Sequence, residues 1–165
     1  RDGVQSIVTV GPARHDRPFA EALVTASPGA VRLAPPTPTL AHLAALFACA
    51  RLYIGSDTGP MHVASLVGTP VVQILGPTDP IENAPFAGTP SRSVRVAVSC
   101  SPCRRGCAAA TCMRVVPVEQ VISAARELLA DVRLPPPLAT TRARLGAEAA
   151  DLVPPLAPRA EGATS

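Results

Sequence analysis

The sequence predicts an α/β domain with a Rossmann-like parallel sheet, helices on both of its faces, and a disordered tail. Three observations predict this. Short β-branched runs alternate with stretches whose apolar residues recur at helical spacing, which is the order that builds right-handed βαβ crossovers. Most of the runs end in a turn containing Gly or Pro, as buried parallel strands do where they open into loops. The periodic order stops near Arg133, where prolines take over.

In chain order, residues 6–10 read as a strand closed by Gly11-Pro12. Asp16 is placed to cap a helix carrying Phe19, Ala22, Leu23 and Ala26 on one face and stopped by Pro28-Gly29. Residues 31–33 are a brief strand. Thr39 caps a second helix, apolar at Leu40, Leu43, Ala44, Leu46 and Phe47 and running to about Ala50. A strand over 52–54, a helix over 59–67 ending at Gly68, and a strand over 71–75 closed by Gly76-Pro77 follow. After a proline-rich loop, Ser93, Val94, Val96 and Val98 predict a fifth strand over 93–98. A cysteine-rich loop (99–114) and an amphipathic helix over 118–129 complete a domain spanning residues 1–132. Residues 133–165, with Pro135-Pro136-Pro137, Pro154-Pro155 and Pro158 among Ala, Arg and Glu, predict disorder, with at most a short helix near 143–152.

A chain of 165 residues predicts one domain around one core. With three Phe, one Tyr and no Trp, that core must be built from Val, Leu, Ile and Ala. All 15 basic residues are Arg, and the net charge of +3 is spread along the chain. Nucleic acid is therefore not an expected partner. No apolar run reaches the roughly 18 residues that a membrane span needs, and no signal region leads the chain, so a cytoplasmic location is expected. The start at Arg1, almost directly in an apolar run, predicts further sequence upstream.

The segment that carries chemistry is Ile54-Gly-Ser-Asp-Thr-Gly-Pro-Met-His-Val-Ala64, where a strand ends, a tight turn follows, and a helix begins at once. Such a turn lies at the carboxyl end of a parallel sheet. There the unpaired N–H groups and the helix dipole attract phosphate. Gly59 permits close backbone approach, and Pro60 suits a first turn because its missing N–H would be unpaired anyway. The Asp57 carboxylate would repel phosphate, which leaves it to accept hydrogen bonds from sugar hydroxyls or to cap the helix. Capping alone is the common use of an Asp-Thr-Gly step. His62 reads either as a neutral imidazole donating one hydrogen bond or as a packed link between helix and loop. Gly76-Pro-Thr-Asp-Pro80 belongs to the same rim, as a donor loop or as an ordinary proline turn with local bonds from Thr78 and Asp79.

Taken whole, residues 55–80 resemble the C-terminal domain of glycosyltransferase family 9, the ADP-heptose:lipopolysaccharide heptosyltransferases, and the likeness extends over roughly residues 4–130. The resemblance implies the C-terminal half of a GT-B fold, the half that binds a nucleotide-sugar donor such as ADP-heptose. It implies diphosphate contacts at Thr58 and Gly59, sugar contact at Asp57, and a donor-binding set completed by Met61, His62, Gly76 and Thr78. Met61 reads more readily as packing. The catalytic base and the lipopolysaccharide acceptor would belong to an N-terminal domain, so this chain would hold no catalytic residue and would be inactive alone. Transfer would need no cofactor, and the enzyme could lie at the periphery of the inner membrane. One departure is the absence of the family's lysine near the donor phosphates. Either it precedes this sequence or an Arg replaces it.

Cys100, Cys103, Cys107 and Cys112 stand at C-x2-C-x3-C-x4-C spacing, while Cys49 reads as a core residue. Four thiols could hold structural zinc or an iron–sulfur cluster, although one zinc usually joins two separated hairpins. Reduced thiols or transient disulfides are the other reading. Arg104 and Arg105 keep the loop solvated. A rival function follows, that of a non-catalytic metal-binding or interaction module on a Rossmann-like body. Because the cysteine loop follows the last strand, it is expected to be peripheral to donor binding.

The tail composition generates a first prediction. A chain ending at Ala130 should unfold at the same temperature as the full chain, because the removed residues bury too little apolar surface to offset their ordering entropy. A clearly lower midpoint by calorimetry or circular dichroism would show that the tail packs.

Overall fold

A computed structural model describes residues 5–103 and 107–130. The expected tail, including the helix near 143–152, and Arg104 and Arg105 lie outside the described residues. Among the described residues five strands, joined by helices except between the last two, pair in parallel in two sheets, one in each of two units that divide between Leu40 and Ala41.

In the first unit, β1 (Ser6–Val8) and β2 (Val31–Leu33) pair in parallel around α1 (Asp16–Ala26), with Ser6 opposite Val31. Asp16 is not the cap. His15 holds that position in helical conformation, and Asp16 sits in the first turn, where its Oδ2 accepts the Ala13 amide at 3.2 Å. The acidic side chain still serves the helix start by closing the preceding turn. Gly29, with φ of +75°, supplies the left-handed residue that turns the chain into β2. Pro35, Pro36 and Pro38 then withhold the N–H groups a longer ladder would need.

The second unit contains α2 (Leu40–Ala48, its first residue at the unit boundary), β3 (Tyr53–Ser56), α3 (Gly59–Leu66), β4 (Val71–Ile74), β5 (Ser91–Val94), α4 (Thr111–Arg114) and α5 (Val118–Ala130). Its strands lie in the order β3-β4-β5, all parallel, with Ser56 opposite Ile74 and Ile74 opposite Val94. Successive side chains of β4 point to opposite faces and sort the core. Val71 packs with Phe47, Met61 and Ala64 from α2 and α3, whereas Val72 packs with Val94, Ala124 and Leu128 on the side of α5. Helices on both faces are thus what the sequence predicts.

The fifth strand is displaced from its expected position. The ladder takes residues 91–94 because β4 stops before Gly76-Pro77 and leaves residues 95–98 without a partner, despite their alternating valines. The short α4, entered through Ala110 at φ of 44°, is an element the periodicity did not predict, since one turn is too short to show a period. Among the described residues no helix is long and apolar enough to cross a membrane.

Gln73 is the buried polar exception on β4. Its Nε2 donates to the Asn83 carbonyl at 2.7 Å, and its Oε1 accepts from Ser93 Oγ at 3.0 Å, tying the central strand to β5 and to the following loop. Gln73→Leu keeps the volume but strips both partners. Chemical denaturation should show a loss of roughly 1–3 kcal/mol, the usual cost of stranding buried polar groups. An unchanged midpoint would mean that solvent reaches those groups.

Candidate functional site

The pairing of Ser56 with Ile74 brings the turn after β3 and the loop after β4 to one carboxyl edge of the sheet. Thr58 is the N-cap of α3 in extended conformation, φ −149° and ψ 164°, but its side chain makes no capping bond. The Thr58 hydroxyl instead donates to the Ser56 carbonyl at 3.4 Å. The Met61 and His62 amides both turn back to the Thr58 carbonyl, and Pro60 has none to offer. Among the described residues the Gly59 N–H is therefore left without a partner at the positive end of the helix.

Asp57 does not cap the helix either. Its carboxylate, only 10% exposed, has Oδ1 3.4 Å from His62 Nε2, and the imidazole is 43% exposed. His62 thus reaches back one helical turn and holds a carboxylate at the edge.

The glycines of this edge differ in what requires them. At Gly55 a Cβ would run into the Tyr53 ring and hydroxyl, and at Gly76 into Met113 and Cys112. At Gly59 a Cβ would meet nothing within 4 Å, and no positive φ demands glycine there. Packing explains Gly55 and Gly76. The space where a Gly59 side chain would sit is open, so packing does not account for that glycine.

Tyr53 is a residue that the sequence reading passed over. It stands two positions before Gly55 on the same face of β3, so its phenol lies across the glycine and hydrogen-bonds with the Thr58 side chain. Its ring meets Phe47 edge-on, with centroids 5.1 Å apart at 74°. Burial pushes the phenol pKa up, and the Thr58 hydrogen bond partly opposes that. The available signal was the chain's only tyrosine placed two residues before a strand glycine.

Met61 is fully buried in the core with Phe47, Ala64 and Val71, which fits the packing reading and corrects its place among the donor contacts. The cysteine loop packs against the loop after β4. Ser101 Oγ donates to the Gly76 carbonyl at 2.8 Å, the Cys103 amide donates to the Pro77 carbonyl, and Met113 and Cys112 pack on Gly76. The cause is topological, since parallel β5 delivers the chain to the same edge as β4. The four thiols themselves are not brought together. Cys112 is buried, Cys103 half-buried, and Cys100 and Cys107 exposed, and among the described residues no three His, Cys, Asp or Glu are grouped as a metal would need.

In the loop after β4, Asp79 Oδ1 accepts the Ile81 and Glu82 amides at 2.7 and 3.3 Å, so its carboxylate is used locally. Thr78 is different. Its Oγ1 is buried and has no hydrogen-bond partner among the described residues, an unmet bond worth about 1–3 kcal/mol to whatever satisfies it. Separately, the first unit holds a cavity of about 550 Å³ lined by Gly11, Arg14, Arg17, Pro35 and Pro36 among others, where β1 and β2 end. The sequence reading did not single it out, though two strand-closing loops with two arginines were visible.

Residues 1–113 match the family model of glycosyltransferase family 9 (heptosyltransferase). The chain belongs to this family. It is 31% identical over 86 residues to lipooligosaccharide heptosyltransferase 2 of Campylobacter jejuni serotype O:2, covering 50% of this chain and 27% of that protein. It is 32% identical over 93 residues to lipopolysaccharide heptosyltransferase 3 of Escherichia coli, covering 52% and 25%. The crystal structure of a family 9 glycosyltransferase from Veillonella parvula superposes with a TM-score of 0.63 at 26% identity, over 77% of this chain and 37% of that one. The chain thus spans about a quarter of the length of these curated relatives.

Because this family 9 chain has one tyrosine and no tryptophan, ultraviolet titration reports Tyr53 alone. Its midpoint should lie above the ordinary value near 10. A phenol whose folded pKa is raised contributes stability that is full below the unfolded pKa and is lost as pH rises through the folded one. Stability should therefore fall above about pH 10, and less steeply in Tyr53→Phe. A midpoint at the ordinary value would show that the phenol is solvated.

Proposed function

We propose that this domain binds the nucleotide diphosphate and sugar of an ADP-heptose-like donor, for heptose transfer to a lipopolysaccharide core acceptor. The observation that carries the reading is the head of α3. A Gly59 amide without a partner among the described residues, with open space where its side chain would be, lies two residues from a carboxylate that His62 contacts at 3.4 Å. Family membership and the names of the relatives support heptose and lipopolysaccharide as sugar and acceptor.

In this reading the acceptor hydroxyl loses its proton to a base and its oxygen bonds to the anomeric carbon. The bond from that carbon to the diphosphate oxygen breaks, and the electron pair leaves with the diphosphate. Negative charge grows on that leaving group as the bond opens. The Gly59 amide and the positive end of α3 stabilise it without reorganising. Asp57 accepts hydrogen bonds from sugar hydroxyls, which keeps its charge away from the phosphates. Thr78 supplies a hydroxyl on the neighbouring loop. Transfer in this family needs no cofactor, and no step here calls for one. The base and the acceptor contacts are assigned to sequence outside these residues, so this chain alone binds donor without transferring sugar.

Calorimetry with ADP and with ADP-heptose on two variants tests these roles. Gly59→Val places a branched side chain against the diphosphate and should weaken both ligands alike. Asp57→Ala should spare ADP and weaken ADP-heptose by roughly 1.5–3 kcal/mol, the worth of a charged hydrogen bond. Wild-type affinity of folded Asp57→Ala for the sugar donor would remove the sugar-binding role from this residue.

A further inference from the structure

The loop after β4 holds its own backbone from Asp79 to Asn83, but its first residues, Gly76 and Pro77, are held from elsewhere. Pro77 has no N–H to bond inward, β4 has already ended at Ile74, and the Asp79 carboxylate is spent on Ile81 and Glu82. Two consecutive carbonyls of this loop are instead satisfied from one outside segment. Ser101 Oγ donates to Gly76 at 2.8 Å, and the Cys103 amide donates to Pro77. The same segment returns through α4, where Met113 fills the place of a residue-76 side chain and Cys112 Sγ lies 3.3 Å from it. Gly76 is glycine because this packing leaves no room for more. Two residues on, Thr78 carries a buried hydroxyl that has no partner among the described residues.

We propose that Ser101 is a positioning residue for donor binding. Together with Cys103, Cys112 and Met113 it fixes the Gly76-Pro77 backbone, and through it the Thr78 hydroxyl, at the edge where the nucleotide sugar binds. The inference rests on the donor reading above and extends it to a segment known so far only for its cysteines. These residues act through backbone placement, and none of them touches the ligand. The cysteine segment therefore sets donor affinity through its backbone and packing contacts. Any covalent change at Cys103, whose amide is one of the two anchors, would be felt at Thr78.

The test titrates ADP-heptose into the wild-type chain, Ser101→Ala, Ser101→Thr and Asp57→Ala, with hydrogen exchange followed at residues 76–79 and at the start of α3. Ser101→Ala should bind about 3–10-fold more weakly, the range of one neutral hydrogen bond. Its amides at Thr78 and Asp79 should exchange faster while those at the start of α3 stay unchanged. Ser101→Thr keeps the hydroxyl and should restore both. Wild-type affinity and exchange in Ser101→Ala, alongside weakened Asp57→Ala, would overturn this inference and leave the donor reading standing. Equal impairment of Ser101→Ala and Ser101→Thr, with faster exchange throughout the domain, would overturn it as well, because the segment would then be merely structural. If the wild-type chain does not bind ADP-heptose, the donor reading falls and this inference falls with it.

Discussion

Parallel pairing of β3, β4 and β5 is the constraint on which the candidate site depends. Each strand must leave the sheet at the same edge, so three segments distant in sequence emerge side by side: the turn at Asp57, the loop at Gly76 and the cysteine segment. Antiparallel pairing at any of these positions would send one of them to the opposite edge. The same arrangement aims the N-terminus of α3 at that edge, because a helix following a parallel strand must run back across the sheet. Anion attraction and loop convergence thus have a single cause in topology.

Within this frame the glycines divide the edge into packed and open places. Gly55 yields to Tyr53 and Gly76 to Met113, so each lets a large side chain cross the backbone and brace a neighbouring element. Tyr53 braces Thr58 and stands against Phe47. Met113 braces the loop that leads to Thr78. Gly59 braces nothing, so packing does not account for it as it does for the other two. Sequence alone shows three glycines in similar strand-end turns and offers no way to tell them apart.

What was legible in the sequence was what local periodicity and turn chemistry encode. The strand at residues 31–33 and the starts of α2, α3, β4 and α5 fall where the pattern puts them, because apolar spacing and Gly or Pro stops act over a few residues. The strand-turn-helix at Asp57 was legible for the same reason, and the family of the chain followed from it. Long-range facts were hidden. The valines at 94, 96 and 98 alternate as a strand should, yet only the end of β4 decides where the ladder stops. Met61 occupies a position in the turn motif whose burial depends on Phe47 and Val71, distant in the chain. The contact of Ser101 with Gly76 joins residues 25 apart, and nothing in the spacing of the cysteines announces it.

The far end of α3 shows why its head can remain unpaired. Ser65 Oγ donates to the His62 carbonyl at 2.9 Å and accepts the Phe86 amide at 3.2 Å, while the Ser65 carbonyl accepts from Thr89 Oγ1 at 2.6 Å. Just beyond the helix, Thr69 Oγ1 donates to the Phe47 carbonyl at 2.6 Å and ties the exit to α2. Ser65, Thr69 and Thr89 are buried, so these bonds are shielded from competing water. They fix the carboxyl-terminal half of an eight-residue helix to two other segments of its unit, and with it the direction of the helix axis. A short helix held in this way needs no cap at its head to stay folded. The Gly59 amide is exposed, so water can satisfy it, while the bonds at the other end keep the direction in which the head of the helix points.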